Sequence, residues 1–332
     1  MRNLRKIVYA IVIYSLTLSG GLAQAEEKAE EKKSPPIVLP HSVEWISTLG
    51  ERGSGNGQLL EPHGVTVGED GIVYVADTGN VRVQAMDRTG KFIYSFGKFG
   101  FDEGQLTNPV DVIVDGSGAI CALDSDRGIV VRYGPDGNFL QNVVLNLKLA
   151  PIAFSNRPLI FPQGFCLGRT GGFVIADTEK SRIIALEASG RPIMEFGSYG
   201  SGPGNLNYPR GVAVAPDGSI YVADSGNARI QRYDAGYRAV AVIGGKGSDE
   251  GRFLNPTGIA VDSQGRLYVC DTGNDRIQIF DAEGRFLYAF GHSGKGDWQF
   301  DHPYDIAIFH DQFIFVADAY NNRIAKLAIM WQ

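Results

Sequence analysis

Tyr221-Val222-Ala223-Asp224-Ser225-Gly226-Asn227-Ala228-Arg229-Ile230-Gln231 is the stretch on which the fold turns. An apolar run ends in Asp, a Ser-Gly-Asn turn follows, and a second apolar run opens with Arg-Ile. The phrase is repeated. Its aspartates are Asp77, Asp124, Asp177, Asp224, Asp271 and Asp318. Five residues beyond stand Arg82, Arg182, Arg229, Arg276 and Arg323, while the second copy has Ile129. A proline precedes each aspartate at a constant distance: Pro62, Pro109, Pro162, Pro209, Pro256 and Pro303. Two landmarks in step over copies of about 47 residues point to a solenoid or a propeller.

Each copy reads as four short strands. In the first they are expected at 64–67, 72–76, 81–86 and 92–96, parted by Glu-Asp-Gly, Asp-Thr-Gly-Asn and Arg-Thr-Gly turns. Four antiparallel strands per copy make a propeller blade. The sixth copy stops after its third strand, and 43–50 resembles the fourth strand of the first copy, 91–97. The sequence therefore predicts an all-β, six-bladed propeller over 41–332, with the amino-terminal strand zipped onto 323–330. Closure removes the open ends that a solenoid must cap.

Composition agrees: 43 glycines in 332 residues, 15 prolines and 18 phenylalanines suit many turns and strands. Arg2, Arg5 and Lys6, the apolar run 7–18 and Ala23-Gln24-Ala25 read as a signal peptide over 1–25. A charged, Pro-bearing tether follows over 26–40. The expected product is extracytoplasmic (periplasmic or secreted), monomeric, and without an integral membrane domain after cleavage. Its formal charge falls from −6 to −9 once the leader's three basic residues go. That balance excludes nucleic acid as a partner, because such affinity rests on neutralising phosphates. Cys121, Cys166 and Cys270 are widely spaced and read as small core residues, with a Cys121–Cys166 disulfide as an open alternative.

The copies 73–82, 221–231 and 268–278 resemble the NHL repeat, over nearly all of 43–332. The resemblance implies a six-bladed propeller, a fold reused for protein binding, RNA binding and lyase chemistry. In its peptidyl-hydroxyglycine lyases, three Pro-His pairs on alternate blades supply zinc ligands. Only Pro62-His63 matches here; Gln163 and Thr257 stand at the other two positions, and His302 is one residue out of register. No metal and no cofactor is expected.

The residue after each proline should ring one mouth of the channel, on a face here termed the top: His63, Val110, Gln163, Arg210, Thr257 and Tyr304, with Asp111 and Asp305 one step inside. The repeated Asp and Arg residues read as structural, each Asp accepting N–H bonds in its own turn and each Arg bracing adjacent blades. Departures from the repeat are candidate contacts. Trp298 replaces a repeated glycine, as a contact anchor or as a lid on a neighbouring blade. The apolar link 141–161, with Leu147 and Phe154, breaks the Gly-rich pattern. The main expectation is a non-catalytic scaffold that binds a protein or peptide of the cell envelope on its top face, through Trp298, Arg210, His63, Gln163, Tyr304, Leu147 and Phe154. The alternative is a lyase or hydrolase at the channel mouth, using His63, Arg210, Tyr304 and Asp305.

Overall fold

The computed structural model describes residues 36–144 and 158–331. The expected signal peptide, most of the tether, and Leu147 and Phe154 of the apolar link lie outside the described residues. No described helix is long and apolar enough to cross a membrane.

Six four-stranded antiparallel sheets follow one another along the chain. Five are consecutive meanders, at 64–96, 109–144, 162–196, 209–244 and 259–290. The sixth takes Pro303–Phe309, Phe313–Asp318 and Arg323–Trp331 from the carboxyl end. Its fourth strand is Pro40–Leu49, paired antiparallel from Pro40↔Trp331 to Leu49↔Ile324. The ring is closed as the repeat predicts.

The second strand of each of the first five blades is buried along its whole length, as in Val73–Asp77 and Ile220–Asp224, and that of the sixth from Ile314 to Asp318. Apolar clusters sit between successive blades; one joins Leu49 and Leu59 to Phe315 and Ile324 across the closure. Alternate residues of each strand thus face two different neighbours, and a strand buried on both faces reads as a continuous apolar run.

Each repeated aspartate is fully buried and holds the connection that enters its own blade. Asp224 accepts the N–H of Asn207 at 2.7 Å, and Asp77, Asp124, Asp177, Asp271 and Asp318 do the same 17 residues upstream. Asp124 also accepts the Arg127 N–H of its own turn at 3.3 Å, as expected; for the other five the expectation is corrected, since the backbone N–H they hold lies in the connection and not in the turn. The arginine completes the clamp. Arg229 Nε donates to Asp224 at 2.7 Å, while its Nη2 donates to the carbonyls of Gly202 and Asn205. In the second blade, where Ile129 replaces the arginine, Arg127 reaches the Gln105 carbonyl at 2.8 Å instead. All three cysteines are free thiols, two of them buried.

Candidate active site at the channel mouth

The inner strands begin at the prolines and line one central cavity of about 330 Å³. Close approach of these strands requires glycine at four places. A Cβ on Gly64 would lie 2.5 Å from Asp111 Cα, and one on Gly258 2.4 Å from Asp305 Cα; Gly164 and Gly211 meet the carbonyls of Arg210 and Thr257 as closely. All eight residues expected at the mouth line this cavity: His63, Val110, Gln163, Arg210, Thr257 and Tyr304, with Asp111 and Asp305.

Tyr304 reaches across the opening. Its hydroxyl donates to Gln163 Oε1 at 2.8 Å and accepts from Arg210 Nη1 at 3.3 Å. The Gln163 amide is held from behind, donating to Ser125 Oγ at 3.1 Å. His63 stacks on the Tyr304 ring at 4.1 Å with the planes 9° apart. Burial, with the Arg210 charge as a lesser cause, pushes the imidazole down to about 4, so it is neutral at physiological pH. Two nitrogens beside the opening are buried with no hydrogen-bond partner: His63 Nδ1 and Arg210 Nε. Unsatisfied buried donors and acceptors are uncommon and mark places where a ligand's polar atoms fit.

Beneath lie two buried carboxyl groups. Asp305 accepts the Val65 N–H at 3.0 Å, and Asp111 the Phe165 N–H at 2.9 Å, so each ties its strand to the next. Burial pushes Asp305 up to about 7. Asp111 is raised well above the carboxylate range by burial and by the nearby Asp305 charge. Both carboxyls can therefore hold a proton near neutrality, a property the sequence pattern did not signal, since two aspartates among glycines look alike whether exposed or buried.

The donor set does not build a zinc site of the lyase kind. His63 is the only imidazole on the ring, Gln163 is committed at both ends, and Thr257 Oγ1 is bonded to Thr272 Oγ1 and the Tyr304 carbonyl. Zinc wants three or four N, S or O donors on one point. His302 lies outside the cavity lining; its imidazole, Asp301 and Asp275 bring ligand-type atoms within 4.8 Å of one another. Trp298 holds the positive φ (63°) of the glycines it replaces. It is half-buried, with Trp45 at 6.3 Å and Phe290 edge-on at 6.3 Å, so it packs over the closing strand rather than standing free on the loop.

The NHL repeat model matches residues 59–86, 206–233 and 253–280. These are the three copies in which a buried glutamine (Gln84, Gln231, Gln278) joins the Asp–Arg clamp. Among curated proteins, the chain is 30% identical over 151 residues to protein brain tumor of Drosophila melanogaster, covering 45% of this chain and 14% of that protein. It is 28% identical over 142 residues to the probable peptidyl-alpha-hydroxyglycine alpha-amidating lyase pgal-1 of Caenorhabditis elegans, covering 40% of this chain and 39% of that one. The chain thus spans well under half the length of either relative. Among solved structures, virginiamycin B lyase from Staphylococcus aureus superposes with a TM-score of 0.56 at 13% identity, over 87% of this chain and 100% of that one. A gluconolactonase from Xanthomonas campestris gives 0.61 at 15% identity, over 89% and 99%.

At such identity these likenesses show the fold alone. The expectation of a non-catalytic, protein-binding scaffold is corrected on one finding: lyases and a gluconolactonase stand among the solved structures that share this fold, so the fold does not favour a scaffold over the alternative at the channel mouth. The repeat model, the curated relatives and the six-bladed topology agree: the chain is a six-bladed β-propeller that carries NHL repeats.

Proposed function

We propose that this protein is an enzyme, a lyase or hydrolase that moves a proton at the top of its channel. The observation that carries the reading is His63: a neutral imidazole whose Nδ1 has no partner, stacked on a phenol and set beside a guanidinium. The free nitrogen is the base and takes the substrate proton. Arg210, with Nε unspent, holds an anionic or strongly polarised oxygen and stabilises the charge that develops there. Tyr304, already hydrogen-bonded to Gln163 and Arg210, gives a proton to the departing nitrogen or oxygen. Asp305 and Asp111 lie below as a buried proton store.

The relatives supply substrate classes to try. The names of the similar proteins point to peptidyl-α-hydroxyglycines, cyclic ester-linked peptides of the streptogramin B type, and sugar lactones. In each a base takes a proton and a heteroatom, the nitrogen of a C–N bond or the oxygen of a C–O bond, is protonated as it departs, the event a phenol donor serves. We also infer export to the cell envelope from the apolar leader; fractionation of cells with an antibody to residues 36–331 tests it.

The reading is tested with purified protein and those three substrate classes. Turnover of at least one is expected, falling about 100-fold or more in His63→Ala and Tyr304→Phe, with Arg210→Gln raising KM for anionic substrates. Absence of turnover on all three, together with no substrate-induced change in a Tyr304-dependent spectrum, sinks it.

A further inference from the structure

A second cavity, of about 350 Å³, opens on the bottom of the ring between the third and fourth blades. It shares only Val214 with the channel lining, and the repeat itself explains why it is there. Three residues before each repeated aspartate stands a side chain that faces the next blade. It is paired across the sheet with a residue of the third strand. The six pairs are Tyr74↔Ala85, Cys121↔Arg132, Val174↔Ala185, Tyr221↔Arg232, Tyr268↔Ile279 and Phe315↔Lys326. Only the third blade has two small members, and both Val174 and Ala185 line the cavity.

The fourth blade shows what fills this space elsewhere. There the Tyr221 ring lies under the Arg232 guanidinium, 5.7 Å from its carbon. The Tyr221 hydroxyl donates to the Ala282 carbonyl in the bottom turn of the next blade at 3.2 Å. In the first blade Tyr94 donates to the matching carbonyl, Pro135. The matching carbonyl for the third blade is Ala235. It borders the cavity, and among the described residues no donor reaches it. Met194 stands where the first blade has Tyr94, so neither route supplies a phenol. Phe173, Leu186 and Ile220 are buried apolar walls, Tyr237 adds a half-buried ring packed on Phe196 at 5.3 Å, and Arg169, Thr170 and Ala235 lie exposed at the rim. Arg169 supplies the guanidinium that Arg232 provides next door. It lies across the opening, its Nη1 2.7 Å from the place a Gly218 Cβ would occupy, and has no ion-pair partner among the described residues.

We propose that this cavity is a binding site for a small phenolic acid. The ligand's ring takes the place of the missing tyrosine, its hydroxyl donates to the Ala235 carbonyl, and its carboxylate pairs with Arg169. The volume is in the range of small-molecule pockets, about 300–1,000 Å³. A buried phenol needs its acceptor, and an unspent guanidinium favours a planar carboxylate.

The test is calorimetric titration of the full chain with 4-hydroxyphenylacetate, phenylacetate and 4-methylphenol. The first is expected to bind, and each of the others about tenfold more weakly, for want of one polar contact. Arg169→Gln should weaken 4-hydroxyphenylacetate to the level of 4-methylphenol and leave 4-methylphenol itself unchanged. Val174→Tyr, which restores the side chain of the first, fourth and fifth blades, should abolish binding; Ala185→Arg fills the same space from the facing strand if the first variant fails to fold. Arg210→Gln should change nothing. The proposal is overturned if the wild type does not bind at millimolar ligand, if folded Val174→Tyr or Ala185→Arg binds as well as wild type, or if Arg210→Gln abolishes binding, which would place the ligand in the channel.

Discussion

His63 and Asp305 are moved in opposite charge senses by one cause, the removal of water from the channel. An imidazole pushed down to about 4 stays neutral where an ordinary histidine, near 6.5, would have gained a proton. The acid limb of the pH profile should therefore lie near pH 4, with full activity at pH 5.5; a limb at 6.5 would show that His63 is not the base. Asp305 affects stability with the other sign. Its folded value, about 7, exceeds that of the unfolded chain, so the folded state holds its proton more tightly. Its contribution is complete below about pH 4 and is lost as pH rises through 7. Asp305→Asn keeps an acceptor for the Val65 N–H and has no proton to lose. The variant should melt above the wild type at pH 8 and level with it at pH 4, by calorimetry across that range. Neither shift was legible in the sequence: His63 and Asp305 were placed at the mouth by register, but burial depends on how six inner strands crowd one axis.

At the scale of the element, the unit is a blade plus the connection that enters it. Asp224, Arg229, Asn227 and Gln231 make one clamp on residues 200–207. Arg229→Ala leaves the Asp224 carboxylate buried without its cation, a loss of about 3–5 kcal/mol by urea unfolding. In the second blade the arginine's own share of the anchor is a single bond from Arg127 to the Gln105 carbonyl, while Asp124 holds Thr107 and Asn108, so Arg127→Ala should cost only about 1–2 kcal/mol. Equal losses at the two positions would refute the clamp as the unit of stability. The six-fold Asp and five-fold Arg announced this element in the sequence. The aspartates' main partner was misread, because the bond spans 17 residues and side chain–backbone bonds suggest first the nearest turn, whereas the arginines reach a carboxylate and carbonyls as expected.

Across the whole molecule, stability rests on ring closure by Pro40–Leu49. Trp45 is wedged at the seam, 6.2 Å from Phe300 and 6.3 Å from Trp298, with the Arg323 guanidinium 5.2 Å from its ring. A chain beginning at residue 52 should melt more than about 10 °C below one beginning at 37, since it uncovers the edge of Arg323–Trp331 and the cluster around Leu49. Trp45→Ala should lower stability by about 3–5 kcal/mol without opening the other five blades. By itself the sequence determined the blade count, the strand order, the closure and the ring of residues at the mouth, because a repeat fixes register and register fixes which residue faces the axis. Tertiary structure decided the rest. Which of those residues lose water, which nitrogens are left without partners, and where one blade omits the ring its neighbours carry are properties of side chains from different copies meeting in space. No single copy contains that information, because each half of every such contact lies at least one repeat away.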